Sequence, residues 1–148
     1  MTALPDREIN QTNIAEKVFD TVEVLTKELP GLGCEYEYLP TNAKELPCLM
    51  MSTLPGNPIE KEYLDGAYIA NYRFSLLLRQ AAEETQARID ALQSLRNLAN
   101  LLEKDPPELG DGCQVWSCQV DNLPARISAE EPYVDYQVTL RVQYRAHR

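Results

Sequence analysis

The chain has 148 residues, 44% of them hydrophobic and 25% charged, and its 14 basic side chains against 23 acidic give a formal net charge of −9. That length suits one domain burying roughly 68 to 70% of its unfolded surface, and the composition excludes a disordered acidic tail. The acidic excess, with no Lys/Arg-rich run, argues against a grip on nucleic acid by phosphate neutralisation, and no apolar stretch approaches the 18 or so residues that would imply a membrane partner.

In chain order, residues 1–12 read as a flexible N-terminal arm. Met1 to Glu8 lacks the basic start and apolar segment of a signal peptide, which points to a cytosolic product. Asn13 and Glu16 make a capping-box pattern ahead of Ile14, Val18, Val22, Leu25 and Leu29, so the spacing predicts an amphipathic helix from about Ile14 to Glu28, stopped by Pro30, Gly31 and Gly33. Cys34 to Leu39 alternates with period two and predicts a strand with Cys34, Tyr36 and Tyr38 inward. Leu46 to Thr53 is a poorer strand, and the prolines of residues 40–62 mark it as an edge strand beside a stiff loop. Ile59 to Leu64, Asp65-Gly66 and Ala67 onward predict a hairpin with a two-residue primed turn.

From Ala67 to Gln80, Tyr68, Ala70, Tyr72, Phe74, Leu76 and Leu78 face one way. Thr85 caps a second helix, Gln86 to Lys104, with Ile89, Leu92, Leu95, Ala99 and Leu102 on its stripe and Leu98 and Leu101 at the margin; Glu83-Glu84 before it suits the helix dipole. Asp105-Pro106-Pro107 ends that helix. Gln114 to Asp121, with Trp116, Cys118 and Val120 on one face, and Tyr133 to Ala146, which alternates cleanly, are the final strands. The expectation is a single α+β domain over residues 1–148: an antiparallel sheet with two amphipathic helices packed on one face, in the order α-β-β-β-β-α-β-β.

Active-site chemistry is sparse. Cys34, Cys48, Cys113 and Cys118 lack a CxxC pair, and the one histidine, His147, sits at the end of the sequence, so free thiols are expected rather than a zinc site or a disulfide framework. No phosphate-binding glycine loop, hydrolase elbow or zincin motif occurs, and no catalytic, cofactor-binding or metal residue is assigned. The eight tyrosines could form a stacking platform for single strands, but most fall on inward strand positions and read as core or interface. Segments 67–80 and 133–146 each reach about 45 Å at about 3.3 Å per residue, more than the roughly 38 Å diameter of a compact chain of this size. Either they bend at bulges or their ends leave the domain and need a partner, most cheaply a second copy.

Tyr63-Leu64-Asp65-Gly66, Ala70 to Leu76 leading to Arg79, and Glu84 to Leu92 resemble the minor capsid proteins of phages and prophages of Gram-positive bacteria, similar in layout to the tail terminator proteins of long-tailed phages. The resemblance is clearest over Tyr63 to Leu102; the strand Tyr133 to Tyr144 fits it too, and residues 1–62 match by layout only. It implies a virion structural protein, assembled in the host cytoplasm. Its subunits form a ring, commonly of six, on the tail tube; its partners are itself, the major tail tube protein and a head connector or neck protein, and no cofactor or metal comes with it. Partner contacts are expected on Leu49, Met51, Thr53, Pro55, Asn57, Ile59, Arg141, Arg145 and Arg148, which combine edge backbone with charge. If acidic side chains line the hole, DNA passes without specific binding. The rivals are a neck protein on the connector and, in a different class, a small-molecule enzyme or binding domain on a ferredoxin-like layer.

Overall fold

The computed structural model describes residues 4–27, 32–38, 47–55, 59–81, 85–110, 112–128 and 133–147, by backbone alone at 4–13, 81, 85–88, 128, 133 and 147. Its elements run α1 (Leu4–Thr26), β1 (Gly33–Tyr36), β2 (Cys48–Thr53), β3 (Ile59–Glu62), β4 (Ala67–Ala81), α2 (Thr85–Lys104), β5 (Cys113–Ser128) and β6 (Tyr133–His147). The expected order of helices and strands is therefore the observed one.

All six strands belong to one open sheet, ordered β1-β2-β4-β6-β5, with β3 also paired to β4. Its spine is β4 against β6, antiparallel and in unbroken register from Ala67 opposite His147 to Ala81 opposite Tyr133. The other edge of β4 is shared end to end by two short strands: β2 covers Phe74 to Arg79 and β3 covers Tyr68 to Ala70. The expectation that long strands bend or run out past the domain is thus corrected for β4 and β6, because each finds its ladder within the chain. One pairing departs from the antiparallel pattern: β1 runs parallel to β2, Gly33 opposite Cys48 and Tyr36 opposite Met51.

Even-numbered residues of β4 and β6 face the helices. Tyr68, Ala70, Tyr72, Phe74, Leu76 and Leu78 join Val134, Tyr136, Val138, Leu140, Val142, Tyr144 and Ala146 in one buried cluster with Ile14, Val18 and Val22 of α1 and Ala91, Leu95, Leu98, Ala99 and Leu102 of α2. Both helices lie on this one face, and the opposite face of the sheet carries the polar alternates.

Several local expectations shift. Helix α1 starts at Leu4 and passes through Asn13, so the capping-box pattern is interior and residues 4–12 are helix rather than arm; Pro5 in the first turn lacks only an N–H that has no helical partner there. Strand β1 stops at Tyr36 because Glu37 is left-handed, at φ 52°, and this leaves Tyr36 and Tyr38 exposed instead of inward. The hairpin forms, but its loop has three residues. The Tyr63 N–H donates to the Ala67 carbonyl at 2.8 Å and the Gly66 N–H to the Tyr63 carbonyl at 3.1 Å, with Gly66 at φ 93°; that is a type I turn closed by a left-handed glycine. On α2, Ile89 is exposed and Leu98 is core. Glu83 and Glu84 lie outside the described residues.

Candidate assembly surfaces

Among the described residues, the one long strand at an edge of the sheet is β5. Its pairing with β6 slips by one residue between Val115 and Ser117, Val120 and Asn122, Asn122 and Ala125, and Arg126 and Ser128. Each slip is a bulge that leaves one β5 residue unopposed and turns it out of the ladder. The residues at these positions are Trp116, Asp121, the pair Leu123-Pro124, and Ile127, and the three large apolar ones are exposed, Trp116 by 49%, Leu123 by 74% and Ile127 by 52%. The bulge at Trp116 resets the phase, so Val115 and Cys118 both face the core and Trp116, expected inward with Cys118, does not.

Strand addition along this edge is obstructed. The Val120 N–H donates to Glu103 Oε2 at 3.2 Å, so a side chain from α2 occupies a group that an incoming strand would need. What β5 presents is therefore side chains rather than a continuous row of backbone groups. Sequence reasoning missed its outer half because Asn122, Pro124 and the bulges destroy period two; Pro124 is tolerated because β5 is an edge strand.

The opposite end of the sheet is built from β1 and the α1 turns above it. Tyr36 stacks edge-on against Phe19 at 5.8 Å, and Thr53 Oγ1 bridges the hydroxyls of Tyr36, at 2.9 Å, and Tyr72, at 2.6 Å. Burial pushes the Tyr72 hydroxyl well above its ordinary pKa, with the Thr53 bond acting the other way. Tyr38 is exposed, as are Glu35 and Glu37 near it in sequence, and so is Val24 of α1.

Polar pairs lace the face of the sheet away from the helices. Arg79 grips Asp135 through two bonds, Nε to Oδ1 at 2.9 Å and an η-nitrogen to Oδ2 at 3.1 Å. Arg141 pairs with Asp121 at 3.2 Å and donates to Gln119 at 2.9 Å. Glu60 Oε2 accepts from Asn71 at 3.0 Å and Gln143 at 2.8 Å, and these bonds hold its carboxyl below the usual range.

The residues expected to meet partners are scattered. Strand β2 lies between β1 and β4, so it is not an edge; Leu49 and Met51 are buried in the core and cannot present a surface. Thr53 spends its hydroxyl on the two tyrosines. Ile59 is half-buried against the core and paired with Ala70. Pro55 is exposed, Arg141 and Arg145 are half-buried on the outer face, and Asn57 and Arg148 lie outside the described residues.

Chemistry at the concave sites is thin. An open cleft of about 480 Å³ is lined by Pro106, Pro107, Glu108, Leu109, Gly110, Cys113 and Val115. Burial raises the Cys113 thiol, which makes it a poor nucleophile. None of the four cysteines is joined in a disulfide; burial pushes Cys34 to about 11 and Cys118 to about 12. Among the described residues, no group of three or more His, Cys, Asp or Glu is placed to hold a metal ion, and no helix is long and apolar enough to cross a membrane.

No family model matches the chain, and no curated protein matches it in sequence. In fold it is similar to a chain of the virion of a native gene transfer agent particle, at a TM-score of 0.58 and 13% identity, over 90% of this chain and 98% of that one. The likeness is one of fold and runs over most of both chains.

Proposed function

We propose that the chain is a structural subunit of a phage-like virion. In the fuller form of this reading it is one member of a ring, of six subunits, that closes the tail tube, ends its polymerisation and offers the surface to which the head joins, while DNA passes through the lumen without specific binding. The observation that carries it is the fold likeness to a virion chain over 90% of this chain. One feature supports it: the sheet ends in an apolar-studded edge strand, which suits a protein that works by contact. The reading involves no catalytic step and no cofactor.

Loss of the gene is the decisive experiment. A tail-closing subunit leaves tails of uncontrolled, excessive length in electron micrographs. Tails of normal length beside unjoined heads that lose DNA indicate the neck position instead. Normal particles without the protein overturn the virion reading altogether.

A further inference from the structure

Strand β1 ends the sheet with little of itself buried: of its four residues only Cys34 is half-buried, while Gly33, Glu35 and Tyr36 are exposed. The strand it covers is the opposite. Cys48, Leu49 and Met51 of β2 are buried, and Cys48–Thr53 pairs with β4 in unbroken register, without the proline and bulges that guard the edge of β5. One side chain ties β1 to three other elements. The Tyr36 ring packs edge-on against Phe19 of α1, and through Thr53 of β2 its hydroxyl reaches that of Tyr72 in β4. The Cys34 thiol adds a bond with the Thr26 side chain, and Leu32 rests against the core. Just after Tyr36, Glu37 is left-handed at φ 52°, a conformation that its β-carbon makes costly and that release of the strand relieves.

We infer that β1 is a strap that opens and closes as a unit over the edge of β2, with Tyr36 as its latch. Closed, it occupies backbone groups that an unguarded edge offers to other chains: the Gly33 N–H donates to the Pro47 carbonyl at 3.2 Å and the Glu37 N–H to the Met51 carbonyl at 2.9 Å. Open, it leaves Leu49 and Met51 on the outermost strand of the sheet. Helix α1 does not have to follow, because Ile14, Val18 and Val22 hold it in the core. Opening of part of a fold draws on elements with few buried apolar contacts and exposed hydrogen bonds, and β1 has both. The inference concerns the single chain and does not depend on the virion reading.

A thiol of the protein itself reports the opening. Cys48 is 2% exposed, Gly33 stands opposite it in the ladder, and its Sγ lies 3.6 Å from the place where a Cβ on Gly33 would stand. Alkylation by iodoacetamide, read site by site in a mass spectrometer, is expected to modify Cys48 on the order of tenfold faster than unfolding of the whole chain permits. Between zero and about 1 M urea that rate is expected to change little, because release of one short strand exposes little surface. Y36F keeps the ring on Phe19 and removes the hydroxyl, so it is expected to speed Cys48 about fivefold, the worth of one hydrogen bond. L102A, at a fully buried position of α2, is expected to hasten global unfolding on the order of a hundredfold and to leave the Cys48 rate unchanged. Circular dichroism in urea measures the global unfolding of each variant. The inference is overturned if Cys48 is modified only as fast as the whole chain unfolds, if its rate follows urea or L102A as global unfolding does, or if Y36F leaves it unchanged.

Discussion

Arg79 and Asp135 face each other across the central ladder, and their side chains are only 17% and 10% exposed. Removing one partner strands the other charge where water reaches it poorly, so D135A is expected to cost about 3 kcal/mol in urea unfolding, while replacing both with apolar residues of similar volume recovers most of that loss. Glu60 behaves differently, because its carboxylate is held by the amides of Asn71 and Gln143 and its folded pKa is lowered. The stability it contributes is present above its unfolded pKa of about 4.3 and is lost as pH falls through the lower folded value. The difference in melting temperature between the unmodified chain and E60Q is therefore expected to hold steady from pH 6 to about pH 5 and to shrink from there toward pH 3; a difference constant over the whole range refutes the bonded carboxylate. The thiols give a third check. Cys118, buried and pushed to about 12, is expected to resist a thiol reagent at pH 8 until denaturant is added.

At the scale of elements, α2 divides between a face that packs and one that does not. L102A removes a fully buried side chain and is expected to cost about 3 kcal/mol, whereas I89A, at an exposed position, stays within about 0.5 kcal/mol; chemical denaturation separates the two. The apolar periodicity placed the helix but not the centre of its buried stripe, since Ile89 and Leu102 look equivalent until tertiary packing selects Ala91, Leu95, Leu98 and Leu102. Strands β4 and β6 were legible to within a residue because both alternate over their whole length with one face against the helices. What escaped was what depends on a partner elsewhere in the chain. Nothing local says that Cys48–Thr53 is flanked on both sides, which is why Leu49 and Met51 looked like edge residues. No local pattern places β1 parallel to β2, and β5 hides behind its own bulges. The candidate surface was legible only in part for the same reason: Trp116 was read by phase, and one extra residue in the ladder reverses its direction.

For the molecule as a whole, the sheet has one short and one long end, and both helices cover a single face, so the polar face laced by Arg79, Arg141 and Gln143 stays open. The middle of that sheet has a kinetic consequence. Its central strand β4 is complete at Ala81, but its full-length partner β6 begins at Tyr133 and ends at His147. During synthesis at roughly 5 to 20 residues per second, β4 waits about 3 to 13 s for the whole of that partner to be made. Until then its apolar residues have only β2, β3 and the helices for cover. A ribosome-bound chain halted before residue 133 is expected to be cut by protease within β4, and one extended beyond residue 148 by enough linker to clear the exit tunnel to be resistant. Equal resistance of the two contradicts this order of events. The strand that unites the finished sheet is thus the one longest at risk of joining the wrong neighbour while the chain is being born.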